Sequence, residues 1–366
     1  MILTVIILIA SLFFLAIAAW NVSAWPAIKA GSRNHSSAVS VLIPARNEEA
    51  NILSCLETVA SQGEAAREIL VLDDHSTDAT RQIVCARVAL DPRVRLIDGE
   101  DLPEGWCGKN FACARLAEEA TGEWLLFLDA DARLADGAIA AMVEEASCRN
   151  LTMLSCWPRF TVESFWENVL MPMLNFVVFT LYPAPLAAWR NDSSLGLAHG
   201  ACILVDRSTY FAVGGHTAVR GEVFEDTRLA HLWRATGHRQ LCLDGQHVVS
   251  VRMYSSFAEI WSGFQKNFFP AFRRESSFWA FLLLHAAVFL LPLFLMLWTR
   301  AWPASVAAGC VFGMRLLLAV RFRHSIRSAF LHVIAEAVLI LLGLSSWWRC
   351  KSGRGVEWKG RRLLNH

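Results

Sequence analysis

The sequence predicts an α/β domain with a mostly parallel sheet, tied to a membrane by apolar helices near both ends of the chain. Three observations predict it. Between residues 38 and about 130, short runs rich in Val, Leu and Ile alternate with stretches of helical periodicity, as in strand–helix units. Residues 1–20 carry no charged side chain, and about 20 helical residues at 1.5 Å each cross a hydrocarbon core. The 366-residue chain is also 55% hydrophobic and only 18% charged, which is too apolar for an ordinary soluble domain.

The first apolar run reads as an anchor rather than a cleaved leader, because it lacks a basic start and exceeds the usual ~7–15 apolar residues. Residues 38–45 (AVSVLIPA) form the first strand, followed by a helix over 47–61 with Leu53, Leu56 and Ala60 on one face. Residues 68–74 form the second strand, and Ser76 or Thr77 caps a helix running to about 89. The third strand is 94–98. A helix over 110–119 and a strand over 123–131 that ends in carboxylates complete the series. A helix at 136–148 and a strand at 151–156 lead into 168–189, which is free of charge but contains Pro172, Pro183 and Pro185. A second αβ block occupies 199–252. Three apolar stretches follow at 278–298, 301–320 and 329–348, the middle one interrupted by Arg315 and the last by Glu336.

Lys29 and Arg33 follow the first helix, so the positive-inside tendency puts the α/β domain in the cytoplasm. Ten cysteines without a C-x-x-C pair suit a reducing compartment and act as small core hydrophobes. The net charge of +1 hides basic clusters at 321–327 and 349–362, which flank the last apolar stretch. Anionic headgroups explain these clusters better than nucleic acid does.

In open α/β sheets, ligands bind beyond the carboxyl ends of the strands. Arg46, the pair Asp73 and Asp74, and the pair Asp129 and Asp131 all fall at such ends. Carboxylates one residue apart are hard oxygen ligands suited to Mg²⁺ or Mn²⁺ with phosphate oxygens. Taken alone, the pair is equally a turn former. One Asp of 73–74 is placed to accept from a base or ribose while its neighbour caps a helix, and Glu225 with Asp226 also reads as an acidic first helical turn. His199 and His247 are open as metal or phosphate contacts and as buried, hydrogen-bonded histidines.

PARNE (44–48), VLDDHSTD (71–78), Gly108-Lys109, TGEWLLFLDAD (121–131), HGACILVDRSTYFAVGG (199–215) and FED (224–226) follow one another in the order seen in family 2 glycosyltransferases. The chain resembles the membrane-bound members that glycosylate lipids, including carotenoid glucosyltransferases and hopanoid-associated glycosyltransferases. The resemblance implies a GT-A fold, a nucleotide-diphosphate sugar donor with UDP expected, and inversion at the anomeric carbon. It implies that Pro44, Arg46 and Glu48 line the nucleotide pocket and that Asp73 or Asp74 binds the base. It further implies that Asp131, with Asp129, holds the metal on the diphosphate, that Lys109 neutralises the leaving group, and that Asp226 is the base. Two departures stand out. The stretch after Lys109 lacks the asparagine that many relatives carry five residues on, and no Q-x-x-R-W block is present, Gln265 to Phe269 standing in its place. The second departure argues against a polymerising enzyme.

The expected organisation is an anchor at 1–25, a catalytic domain at 38–255 with 168–189 as an interfacial insert, an amphipathic interfacial helix at 256–275 (Trp261, Phe264, Phe268, Phe269), membrane helices at 278–348 and a basic tail at 349–366. The expected setting is a multi-pass protein of the inner membrane with a cytoplasmic catalytic domain and a lipid or isoprenoid hydroxyl as acceptor. A polyprenyl phosphate acceptor and a non-catalytic nucleotide-sugar-binding protein are the alternatives. Basic residues on both sides of 329–348 further predict that one C-terminal stretch is re-entrant or interfacial and that the tail is cytoplasmic.

Overall fold

A computed structural model describes residues 1–29 and 38–352, together with the backbone of two short strands, Val356–Trp358 and Arg361–Leu363. Arg33 and most of the basic tail at 349–366 lie outside the described residues. The chain divides into two compact units, one made of 26–161 and 186–253, the other of 1–25, 162–185 and 254 onward.

The first unit is built on a seven-stranded sheet. Its strands are β1 (Val39–Ala45), β2 (Ala66–Asp73), β3 (Val94–Asp98), β4 (Trp124–Leu128), β6 (Met153–Trp157), β8 (Cys202–Asp206) and β9 (Gln240–Asp244), in the order β3-β2-β1-β4-β8-β6-β9. A three-stranded sheet, β5 (Ala132–Leu134), β10 (Val249–Val251) and β7 (Arg159–Phe160), lies apart from it. β1 to β4 pair in parallel, as does β6 with β9, whereas β8 runs antiparallel to β4 and β6. β1, β2 and β4 are buried along almost their whole length, as parallel strands covered on both faces must be. On one face Leu42, Leu70, Leu125 and Phe127 pack under Leu116 of the helix Gly108–Glu119 and Trp233 of the helix Glu225–Ala235.

Two local expectations are corrected. The helix after β1 is shorter than expected, Ile52–Ala60, and buries Ile52, Cys55, Leu56 and Val59 while Leu53 faces outward, because residues 46–51 form the ligand-edge loop instead. The helix after β2 starts at Thr80 rather than beside Ser76 or Thr77. Asp78 makes the local contacts there, its Oδ1 accepting from the Thr80 N–H at 3.0 Å and its Oδ2 from the Glu49 N–H at 3.1 Å.

The second unit is helical. Among the described residues, four of its helices are long and apolar enough to cross a membrane: Ile2–Ala24, Glu275–Thr299 with a π-helical turn at His285–Leu290, Trp302–Phe322 and His332–Lys351. The charge-free stretch breaks into Phe165–Leu170, Pro172–Leu181 and Ala184–Trp189. Ser164 and Glu167 form a capping box, and Pro172 sits at a first helical position, where its missing N–H costs nothing. Phe176 and Phe179 are fully buried, with Phe176 against Phe289 and Phe179 against Trp25 and Phe322, so neither faces lipid. In the amphipathic segment only Phe257–Asn267 is helical. Phe268 and Phe269 pack on Phe278 instead of standing free as surface anchors.

Candidate active site

The strand order reverses at β1: β2 and β3 lie on one side and β4 on the other. Such a switch point opens a crevice at the carboxyl ends. The β1–β4 ladder stops at Leu42 and Phe127, so Pro44, which has no N–H to give, falls beyond it.

On the β1–β2 side two loops clasp one another. Arg46 Nη1 donates to the Asp74 carbonyl at 2.6 Å, the Asn47 N–H to Ser76 Oγ at 3.0 Å, the Thr77 N–H to Asn47 Oδ1 at 2.8 Å and the Glu48 N–H to Thr80 Oγ1 at 2.7 Å. Asn47 and His75 both adopt positive φ to turn these loops. Asp73 and Asp74 are buried, and Asp73 accepts from the Ser76 N–H at 3.3 Å. Gly99 at the end of β3 lies against them, where a Cβ would come within 2.8 Å of the Asp73 carbonyl oxygen. Pro44, Arg46, Glu48, Asp73 and Asp74 therefore share one edge.

Next to it stands a carboxylate cluster around one cation. Lys109 Nζ lies 2.8 Å from Asp129 Oδ1 and 3.2 Å from Glu225 Oε1. Burial alone would depress the Lys109 pKa, but Asp129 and Glu225 overcome this and hold it well above the ordinary lysine value. The antiparallel β8 delivers His199 and Gly200 to the same edge, with the Asp129 N–H donating to the Ala201 carbonyl at 3.0 Å. A Cβ at Gly200 would stand 3.2 Å from Lys109 Nζ and 3.3 Å from Asp226 Oδ2, so any side chain there would press on the cluster by a few tenths of an ångström. Asp226 Oδ1 accepts from the Thr227 N–H at 2.6 Å. Its pKa is pushed up to about 7, first by burial and then by the Glu225 carboxylate, with Lys109 pulling the other way.

Asn110 closes the arrangement. It is buried, and its Nδ2 reaches the carbonyls of Val219, Arg220 and Glu222 at 2.8, 3.2 and 2.9 Å, while the Cys107 N–H donates to the Arg220 carbonyl at 2.7 Å. These bonds tie the start of the Lys109 helix to the segment that leads into Glu225 and Asp226.

His199 packs edge-on against Trp157 and beside Phe160, and its Nδ1 accepts from the Ala201 N–H at 3.3 Å. Burial lowers its pKa to about 4, against the pull of Asp129, so it is neutral near pH 7. His247 is exposed on the turn between β9 and β10. The Cys55 thiol lies among Arg133, Asp131, Asp129 and Glu48. Its pKa is pushed up to about 12 mainly by burial, so it is no nucleophile. Among the described residues no cysteine forms a disulfide.

Asp129 and Asp131 leave β4 one residue apart. Among the described residues no group of three His, Cys, Asp or Glu side chains is placed to hold a metal ion. Two hard carboxylates fit an ion such as Mg²⁺ or Mn²⁺ that takes its remaining oxygens from phosphates and water, and they do not make an all-protein cage.

With this geometry in place, the chain can be set beside known proteins. Residues 40–214 match the model of glycosyl transferase family 2. That segment, just under half of the chain, is a glycosyl transferase family 2 domain by this match. It is 28% identical over 237 residues to the 4,4'-diaponeurosporenoate glycosyltransferase of Staphylococcus haemolyticus (strain JCSC1435), a match covering 63% of this chain and 61% of that one, so it spans under two thirds of that relative. It is 24% identical over 358 residues to the enzyme of the same name from Staphylococcus aureus (strain USA300), covering 90% and 88%. A mannosyltransferase from Pyrobaculum calidifontis, solved with GDP-Man and Mn²⁺, superposes with a TM-score of 0.58 at 19% identity over 94% of this chain and 97% of that one. The fold is thus that of GT-A glycosyltransferases, with four apolar helices added.

Proposed function

We propose that this glycosyltransferase moves a hexose from a nucleotide-diphosphate donor, UDP-linked, to the hydroxyl of a lipid acceptor, with inversion at the anomeric carbon. The helical unit holds it in the inner membrane as a multi-pass protein with the sheet unit in the cytoplasm. The observation that carries the reading is the convergence of Lys109, Asp129, Glu225, Gly200 and Asp226 at the switch-point edge.

In this reading the clasped loops at 46–48 and 73–80 hold the nucleotide, Asp73 or Asp74 accepting from the base. Asp129 and Asp131 would hold Mg²⁺ or Mn²⁺, which supplies positive charge to the diphosphate as it departs. Lys109 adds a second positive charge from the protein. Asp226 takes the proton of the attacking hydroxyl, and a carboxylate with a pKa near 7 is a far better proton acceptor than one near 4. Transfer is then a single displacement without a covalent enzyme intermediate.

The raised pKa of Asp226 favours a hydroxyl over a polyprenyl phosphate. A phosphate acceptor arrives ionised and leaves a base idle. The staphylococcal relatives are named for 4,4'-diaponeurosporenoate, a carotenoid carboxylate, which supports an extended apolar acceptor here though not its hydroxyl. Lipid extracts of cells with and without the gene, compared by mass spectrometry, test the reading: a phosphate-free lipid heavier by one hexose appears only with the gene. A hexose gained by a polyprenyl phosphate, or no change, counts against it.

A further inference from the structure

We infer that residues 323–352 form a re-entrant hairpin, so that the chain crosses the bilayer three times and its last apolar helix begins near the midplane and returns to the side it came from. The inference rests on the membrane reading above. Helix directions follow from contacts. Ile2–Ala24 and Trp302–Phe322 run parallel: Ile7 and Leu8 pack with Ala307 near their starts, while at their ends Trp25 stacks on Phe179 at 4.2 Å and Phe179 meets Phe322 at 4.8 Å. Glu275–Thr299 runs oppositely, because Leu291 and Leu295 in its second half pack against the Ile7 and Ala307 group. These are the three crossings.

The fourth helix does not complete one. Phe14, near the middle of the first helix, meets Phe289 at 5.3 Å, and His332 Nε2 donates to the Phe289 carbonyl at 3.0 Å. His332–Lys351 therefore starts at mid-depth. At its other end Lys351 Nζ lies 2.7 Å from Glu275 Oε2, and Trp347 Nε1 donates to Glu275 Oε1 at 2.7 Å. Its last residues thus sit beside the start of Glu275–Thr299. The sequence agrees: 333–344 is apolar apart from Glu336, about 18 Å of helix or roughly half a bilayer, and SSWWRCK follows.

Irregular backbone at membrane depth survives only where protein satisfies it. The limb between Phe322 and His332 meets that condition at His324, Ser328 and His332, while Arg323 and Ser325 to Arg327 are exposed. Arg315 Nη2 donates to the Ser328 carbonyl at 3.1 Å, His324 pairs with Asn175 at 2.9 Å, and His332 takes the Phe289 carbonyl within the π-helical turn of the neighbouring helix. His285 in that turn pairs with Glu336 at 2.5 Å. Arg315 and Glu336, which look like flaws in spanning helices, are the groups that lock the hairpin.

The test uses full-length protein lacking its other accessible cysteines and carrying one of three thiols: native Cys85 of the sheet unit, Arg300→Cys at the turn after Thr299, or Ser352→Cys. Intact cells and permeabilised cells are treated with a membrane-impermeant maleimide. The hairpin predicts that Ser352→Cys reacts as Cys85 does and Arg300→Cys in the opposite way. Reaction of Ser352→Cys together with Arg300→Cys, and apart from Cys85, restores a fourth crossing and overturns the hairpin. Identical behaviour of all three overturns the membrane reading and the hairpin with it.

Discussion

Lys109 Nζ lies 2.8 Å from Asp129 Oδ1, and the same ammonium lies 3.2 Å from Glu225 Oε1, so one cation links the end of β4 to the first turn of the Glu225–Ala235 helix. The two segments meet because Asn110, next to Lys109, holds the 219–222 backbone. The two segments are thereby coupled through a single side chain.

Replacing that cation separates its two duties. Lys109→Met should lower kcat/KM by roughly 10²-fold or more through lost charge at the leaving group. It should also leave Asp129 with no ammonium competing for its oxygen, so the activating metal concentration should fall. A metal titration measures both effects. An unchanged activation midpoint would show that the ion pair does not restrain Asp129.

Metal dependence follows from two carboxylates and a diphosphate. Transfer should cease in excess EDTA and return with Mg²⁺ or Mn²⁺, and Asp131→Ala should be nearly inactive at any metal concentration. Full turnover by the variant, or by wild type in EDTA, removes the metal from the account.

Asp226 sets the pH profile. A base must be ionised, so kcat/KM should rise tenfold per pH unit below about 7 and level off above it. The stability sign is opposite. The folded-state pKa lies above the unfolded one, so this group favours folding below the unfolded value near 3.8 and loses that contribution as pH rises through about 7. Asp226→Asn should therefore raise the melting temperature relative to wild type at pH 8, and raise it less at pH 5, where only part of that contribution has been lost. Melting curves at the two pH values check it.

Asn110→Ala leaves buried carbonyls at 219–222 without their donor and should cost about 1–3 kcal/mol of stability. Activity at a permissive temperature should fall as well, because Glu225 and Asp226 lose their placement relative to Lys109. A variant that is destabilised but fully active would make Asn110 a purely structural residue.

The parallel strands were legible because burial on both faces leaves continuous apolar runs, and the carboxylates at their ends marked the edge. Asn110 was hidden, since its partners are backbone carbonyls more than a hundred residues away. Gly200 was hidden too: its crowding comes from Lys109 and Asp226, which no local pattern brings together. Leu53 was misplaced because the helix begins only at Ile52, after the loop that clasps the β2 edge. Phe176 and Phe179 sit in a charge-free stretch that suits lipid contact and protein burial equally, and only the helices around them decide it.

The central claim is that Asp226 activates a lipid hydroxyl for sugar transfer. The direct measurement is single-turnover transfer from a UDP-hexose to lipid extract by purified wild type and Asp226→Asn in nanodiscs, with nucleotide affinity determined alongside. The account predicts a rate lower by roughly 10²-fold or more with nearly unchanged nucleotide binding. An undiminished rate at saturating donor, or a collapse of nucleotide affinity with the rate intact, would contradict it.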